Sequence, residues 1–115
     1  MLRTAADFSA LADAPRTSSA LLGIRHRVDV SRATDPAAPT LRIGIAASRK
    51  VGGAVVRNRI RRRLKVIARD LAPNLPAGTD ILIGVRPEAA VASSDELRAS
   101  LLACLRRAKL VEAAK

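Results

Sequence analysis

Apolar residues recur along the chain with two different periods, and the changes of period divide it into elements. Between residues 20 and 30, Leu22, Ile24, His26, Val28 and Val30 share one parity while Arg25, Arg27 and Asp29 take the other. That alternation predicts a strand buried on one face. Asp35-Pro36 and Pro39 mark a loop, and residues 41–47 alternate again as a second strand. The period then lengthens. Val56, Ile60, Leu64, Ile67 and Leu71 follow one another at spacings of 4, 4, 3 and 4, which places them within roughly 80° of arc on a helix. An amphipathic helix over 54–71 is predicted, preceded by the breaker Gly52-Gly53 and ended by Pro73, Pro76 and Gly78. The apolar run Asp80-Ile81-Leu82-Ile83-Gly84-Val85 reads as an interior strand closed by Arg86-Pro87. Ser93 and Glu96 have the spacing of a capping box and open a last helix, with Leu97, Leu101, Cys104, Leu105 and Ala108 as its apolar stripe. Near the start, Asp7-Phe8-Ser9-Ala10-Leu11-Ala12 is a short helical candidate limited by Pro15.

The resulting order, α-β-β-(β)-α-β-α, predicts an α+β fold (an α/β sandwich): a small mixed sheet of about four strands packed with three helices. At 115 residues one domain spanning 1–115 is expected, with short flexible ends at about 1–5 and 110–115. A chain of this length folds without disulfides or a structural metal. Periodicity gives neither the strand order nor the hand of a crossover.

Composition narrows the chemistry. Hydrophobic residues make up 49% of the chain, yet Phe8 is its only aromatic residue. The core must be aliphatic, and a row of stacking aromatics is excluded as the main binding device. Cys104 has no partner for an internal disulfide, which suits a reducing compartment. It lies on the apolar stripe of the last helix and reads as a small core residue. One His and one Cys make no zinc site. No apolar run approaches the roughly 20 residues of a membrane span, and no signal-peptide core is visible, so the expected location is the cytoplasm, with no membrane partner.

Charge changes the picture more. The net charge is +11. From Arg49 to Arg69 there are nine basic residues and no acidic one: Arg49, Lys50, Arg57, Arg59, Arg61, Arg62, Arg63, Lys65 and Arg69. The rest of the chain is close to balanced. On the helix, Asn58, Arg61, Arg62, Lys65 and Arg69 point away from the apolar stripe, while Arg57 and Arg63 flank it, with stems able to pack and heads able to reach water. A solvated helix face normally mixes signs at i±4 spacing. A face of one sign repels itself and is suited to a polyanion.

Guanidinium forks match phosphate geometry, Asn58 can bond a base edge or a 2′-hydroxyl, and Gly52-Gly53 let backbone amides approach an anion. A membrane-surface helix would carry interfacial Trp or Phe, which are missing here. A DNA-reading helix-turn-helix needs a helix close before the recognition helix, whereas a strand and a Gly turn precede this one. RNA is the polyanion that remains.

The stretch Val51-Gly52-Gly53-Ala54-Val55-Val56-Arg57-Asn58-Arg59-Ile60-Arg61-Arg62-Arg63-Leu64-Lys65 resembles the signature of the bacterial ribonuclease P protein subunit, centred on Arg57-Asn58-Arg59. Leu41-Arg42-Ile43-Gly44-Ile45 with Ser48-Arg49-Lys50 is similar to the strand and turn before that signature. Asp80-Ile81-Leu82-Ile83 with Arg86-Pro87 resembles the strand after it, and Asp7-Phe8 the start of the family's first helix. The likeness is strongest over about 41–71.

The resemblance implies a subunit of the endoribonuclease that removes the 5′ leader of precursor tRNA. In that enzyme the RNA subunit performs hydrolysis with bound magnesium, and the protein holds no catalytic residue, cofactor or metal of its own. It implies a left-handed βαβ crossover around the basic helix, against the general rule. It also assigns Arg49, Lys50, Arg57, Asn58, Arg59, Arg61, Arg62, Lys65 and Arg69 to RNA binding, and Phe8, His26 and Ser48 to a cleft for the single-stranded leader.

The chain departs from the family pattern at several places. Gly53 stands where Asn is usual, Arg63 where an apolar residue is common and Ala68 where an aromatic is common. Ala12 replaces a second aromatic of the first helix, and His26 occupies the place of an aromatic on the first strand. Such a cleft should hold the leader weakly and mostly by charge. A small basic ribosome-associated protein or RNA chaperone would share the composition and the basic helix. A self-contained nuclease would need paired His or clustered carboxylates, and the acidic residues here are scattered.

Overall fold

The structure is a computed structural model that describes residues 16–28, 34 and 41–110. Strands β1 (Arg16–Ser18), β2 (Leu22–Val28) and β3 (Leu41–Ala46) lead into helix α1 (Ala54–Leu71). Strand β4 (Thr79–Val85) and helix α2 (Ser94–Arg107) follow, with 3-10 turns at Ala72–Asn74 and Pro87–Val91. The sheet order is β1-β2-β4-β3. β2 runs antiparallel to β1 and β4, and β3 runs parallel to β4. The α+β class and a mixed sheet of about four strands are as expected; the hydrophobic pattern located β2, β3 and β4, while β1 is the strand it did not place. The helix count is corrected: the described residues hold two α-helices, not three, and the helix expected around Asp7–Ala12 lies outside them.

The register decides which side chains share a face. Leu22 opposes Val85, Ile24 opposes Ile83 and His26 opposes Ile81, with Ile43 and Ile45 level with Ile81 and Ile83 on the other flank. This face takes Ile60, Leu64, Ile67 and Leu71 of α1 and Leu97, Leu101, Cys104 and Leu105 of α2 into one aliphatic core. Each such Leu or Ile, fully buried, contributes about 1.5–3 kcal/mol. The opposite face carries Gly23 against Gly84, Arg25 against Leu82, and Arg27 and Arg42 on either side of Asp80.

Local chemistry sets the helix ends. α1 begins after Gly53 with no side-chain cap, and it ends where the 3-10 turn Ala72–Asn74, which holds Pro73, takes over. α2 has the predicted capping box: the Glu96 amide donates to Ser93 Oγ at 3.1 Å, and the Ser93 amide donates to Glu96 Oε1 at 3.0 Å. A hydroxyl seam ties α2 to β1 and the turn before β2. Thr17 Oγ1 donates to the Cys104 carbonyl at 3.1 Å, the Leu21 amide donates to Ser100 Oγ at 3.2 Å, and Ser100 and Ser19 share a hydrogen bond. That seam holds in place a strand of three residues that pairs on one side only.

Candidate nucleic-acid interface

Helix α1 lies across the sheet on its apolar stripe and turns the rest of its surface outward. Asn58, Arg61, Arg62, Lys65, Val66 and Arg69 line one shallow groove along it. Asn58, Arg62, Lys65 and Arg69 are exposed and Arg61 is half-buried. Asn58 Oδ1 accepts a long hydrogen bond of 3.4 Å from Arg61 Nη1, drawing the one neutral polar group and its cationic neighbour together. Asp70 ends the basic run, but its carboxylate faces α2 and accepts from Arg98 Nη2 at 2.8 Å. The groove therefore has a cationic lining with no acid in it.

The other arginines of the run sit differently. Arg59 Nη2 donates to the Ala90 carbonyl at 3.4 Å, and Arg63 Nη1 donates to the Ala92 carbonyl at 3.3 Å. Both guanidinium groups lean over the end of the second 3-10 turn, on the flank away from Arg61. Arg57 is half-buried, and the Nε atoms of Arg57 and Arg59 are buried without a hydrogen-bond partner. Arg49 and Lys50 are exposed in a turn closed by the Val51 amide on the Ser48 carbonyl at 3.0 Å. This turn sits just before the start of α1. The first turn of α1 has no acidic residue and no side-chain cap, so the positive end of the helix dipole adds to the field of these cations.

The residues expected in a leader cleft are not gathered by the described fold. Phe8 lies outside the described residues. His26 is on the face of β2 that carries Leu22 and Ile24, opposite Ile81 near the start of β4, while Ser48 follows the far end of β3. The His26 ring is half-buried, its Nε2 has no partner, and desolvation lowers its pKa from the usual 6.5. Burial thus favours the neutral ring.

One cluster escaped the reading of the sequence. Asp80 is 1% exposed and is held by an arginine from each neighbouring strand: Arg27 Nε at 3.0 Å, and Arg42 Nε and Nη2 at 3.0 Å each. Only the pairing of β4 with both β2 and β3 brings them together. The signal was present as an acid opening an apolar run, with arginines on the polar parity of two other strands. Among the described residues no three His, Cys, Asp or Glu side chains gather, and none of the helices is long and apolar enough to cross a membrane.

The family model for ribonuclease P matches residues 1–109. The chain belongs to the ribonuclease P protein family. The ribonuclease P protein component of Streptomyces avermitilis is 38% identical over 112 residues, covering 92% of this chain and 89% of that one. Those of Chloroflexus aurantiacus and Rhodococcus opacus are 47% and 46% identical over 75 and 70 residues. These alignments cover 64% and 61% of this chain and, in both cases, 56% of the relative, so the match spans little more than half of those two proteins. Among solved structures, the ribonuclease P protein of Staphylococcus aureus superposes with a TM-score of 0.81 at 22% identity, over 96% of both chains. That of Thermotoga maritima gives 0.75 at 24% identity, over 92% of this chain and 94% of that one. At these identities the superpositions speak for the fold of the ribonuclease P proteins, and the sequence relatives carry the family.

Proposed function

We propose that this chain is the protein subunit of ribonuclease P and binds the catalytic RNA through the outward face of α1. The observation that carries this is the groove of Asn58, Arg61, Arg62, Lys65 and Arg69, whose lining has no acid to neutralise it. Arg61, Arg62, Lys65 and Arg69 meet phosphates. Asn58 supplies one uncharged hydrogen bond. Arg49 and Lys50 extend the cationic track beyond the start of the helix, and Arg57 and Arg59 border it. The protein contributes position and charge: its cations offset the repulsion between two polyanions, the catalytic RNA and a precursor tRNA. Hydrolysis of the leader belongs to the RNA subunit and its magnesium, and the assembly works in the cytoplasm. With Phe8 as its one aromatic residue, the chain holds the leader mainly by charge.

The test is reconstitution with the RNA subunit and a precursor tRNA across a magnesium series. Adding the protein should shift the magnesium requirement of cleavage downward, and the purified protein alone should cleave nothing. Cleavage by protein free of RNA, or a magnesium requirement that the protein leaves unmoved, would overturn the proposal.

A further inference from the structure

Beside the cationic groove, on the β3 side of α1, lies a second depression of different character. It is lined by Leu41 and Ile43 of β3 and by Lys65, Ala68, Arg69 and Ala72 of the helix and its end. β3 is the edge strand of the sheet, so nothing among the described strands closes this side. Leu41 and Ile43 are only half-buried, because the helix positions above them carry methyl groups. Ala68 and Ala72 are one turn apart and face the same way. The depression has an aliphatic floor and two cations on its rim.

Those two cations are shared. Lys65 and Arg69 line both this depression and the cationic groove, so a strand tracking the groove passes the mouth of the apolar one. Its volume is about 260 Å³, below the roughly 300–1,000 Å³ of sites for drug-sized ligands and suited to one planar ring system. We infer that this is a nucleobase site: an unpaired nucleotide of the bound RNA places its base on Leu41, Ile43, Ala68 and Ala72 while its phosphate lies on Lys65 and Arg69.

The chemistry is matched at each end. RNA is read where bases are unstacked, and such bases stack on aromatic rings or on the plane of an arginine; here an arginine stands over an aliphatic floor. Arg69 is placed to supply that plane as well as charge. A regular duplex keeps its bases stacked inside and could use only the rim. The occupant is therefore a bulged or looped nucleotide rather than a paired one. The site exists because position 68 is Ala; a larger side chain there would fill it.

This inference rests on the RNA-binding proposal above, and one experiment separates the two. The full chain is titrated with an RNA hairpin carrying a single bulged 2-aminopurine and with the same hairpin fully paired. The bulged hairpin should bind about fivefold tighter, the low end of what one base gains on an aromatic ring because this floor is aliphatic, and its fluorescence should change on binding. Ala72→Leu, at a half-buried position, should abolish the preference while leaving affinity for the paired hairpin unchanged. Ala68→Leu should do the same from the floor, with circular dichroism and a thermal melt confirming that each variant is folded. Equal affinity for both hairpins, or a preference that survives both folded variants, overturns the nucleobase site and leaves the cationic face standing. Failure to bind either hairpin overturns the RNA-binding proposal and the site with it.

Discussion

Asp80 and Arg42 face each other across parallel strands as a two-bonded pair, Nε to Oδ1 and Nη2 to Oδ2, each at 3.0 Å. Arg27 reaches the same carboxylate from the antiparallel side. The carboxylate is 1% exposed, whereas the arginine side chains keep 21% and 37% of their surface. The acid is thus the buried member, and its desolvation is offset by two cations. Removing it brings two guanidinium groups together without the carboxylate between them. Asp80→Ala should cost about 2–4 kcal/mol, toward the lower part of the range for broken buried pairs because the arginines can still find water. Arg42→Ala should cost more than Arg27→Ala, since Arg42 donates to the carboxylate from both Nε and Nη2. Urea unfolding of the three variants measures this, and equal small losses would show that the cluster is incidental to stability.

The same cluster marks what a sequence leaves hidden. Helix α1 was legible to its last residue because a 3.6 period ran for 18 residues between Gly52-Gly53 and Pro73. The capping box was legible because its two residues sit three apart. Parity gave β2 and β3 separately, but parity within a strand says nothing about its neighbours. That β4 lies between them, with Asp80 level with Arg27 and Arg42, depends on register set by long-range packing. β1 has three residues, too few for any period, and is held by hydroxyl contacts to α2. Within the candidate site, the cationic face was legible as charge without acid. The lean of Arg59 and Arg63 toward the Ala90 and Ala92 carbonyls was not, because it depends on where the 3-10 turn comes to rest.

Gly52 and Gly53 are adjacent but unlike. Gly52 has φ +154°, and a Cβ there would meet Val56 side-chain carbons at 3.1 Å. Gly53 has an ordinary φ of −70°, and a Cβ there would meet nothing within 4 Å. Gly52→Ala should destabilise by about 1–3 kcal/mol through backbone strain and crowding. Gly53→Asn puts an acceptor at the uncapped start of α1 and should stabilise by a few tenths of a kcal/mol. Thermal melts of both variants test the contrast; destabilisation by Gly53→Asn would mean that the helix start cannot accept a cap.

His26 should make stability pH-dependent. Its folded pKa lies below 6.5 because burial disfavours the charged ring. The unfolded chain therefore binds more protons as the pH falls below 6.5, and folding stability falls with it. Well above that pH the group contributes no slope. His26→Leu also removes a buried ring nitrogen without a partner, on a face shared with Ile24. The variant should be at least as stable as wild type at pH 8 and should lose less stability between pH 6.5 and 5. Glu96 adds a second acid-sensitive group. Hydrogen bonds from Ser93 lower its pKa from 4.5, so the capping contribution is present above 4.5 and lost as the pH falls through the folded value. Parallel stability curves for wild type and His26→Leu between pH 8 and 5 would sink the assignment to His26.

The α1 face should announce itself in the salt dependence of RNA binding. Four cations line the groove, Arg61, Arg62, Lys65 and Arg69, with Arg49 and Lys50 beyond the helix start. If the four meet phosphates, log K should fall with log[salt] at a slope of about −3 to −4. Arg61→Ala should reduce the magnitude of that slope by about one. Asn58→Ala removes a hydrogen-bonding group without charge, so it should cost about 1 kcal/mol and leave the slope alone, even though Asn58 Oδ1 accepts from Arg61 Nη1. Lys65→Glu should weaken binding strongly. Arg98→Glu should barely affect it, because Arg98 faces Asp70 on the α2 side. Fluorescence titrations at several salt concentrations decide the matter. If Arg98→Glu weakened binding as much as Lys65→Glu, or if Asn58→Ala moved the slope as far as Arg61→Ala, the phosphates would lie somewhere other than this helix face.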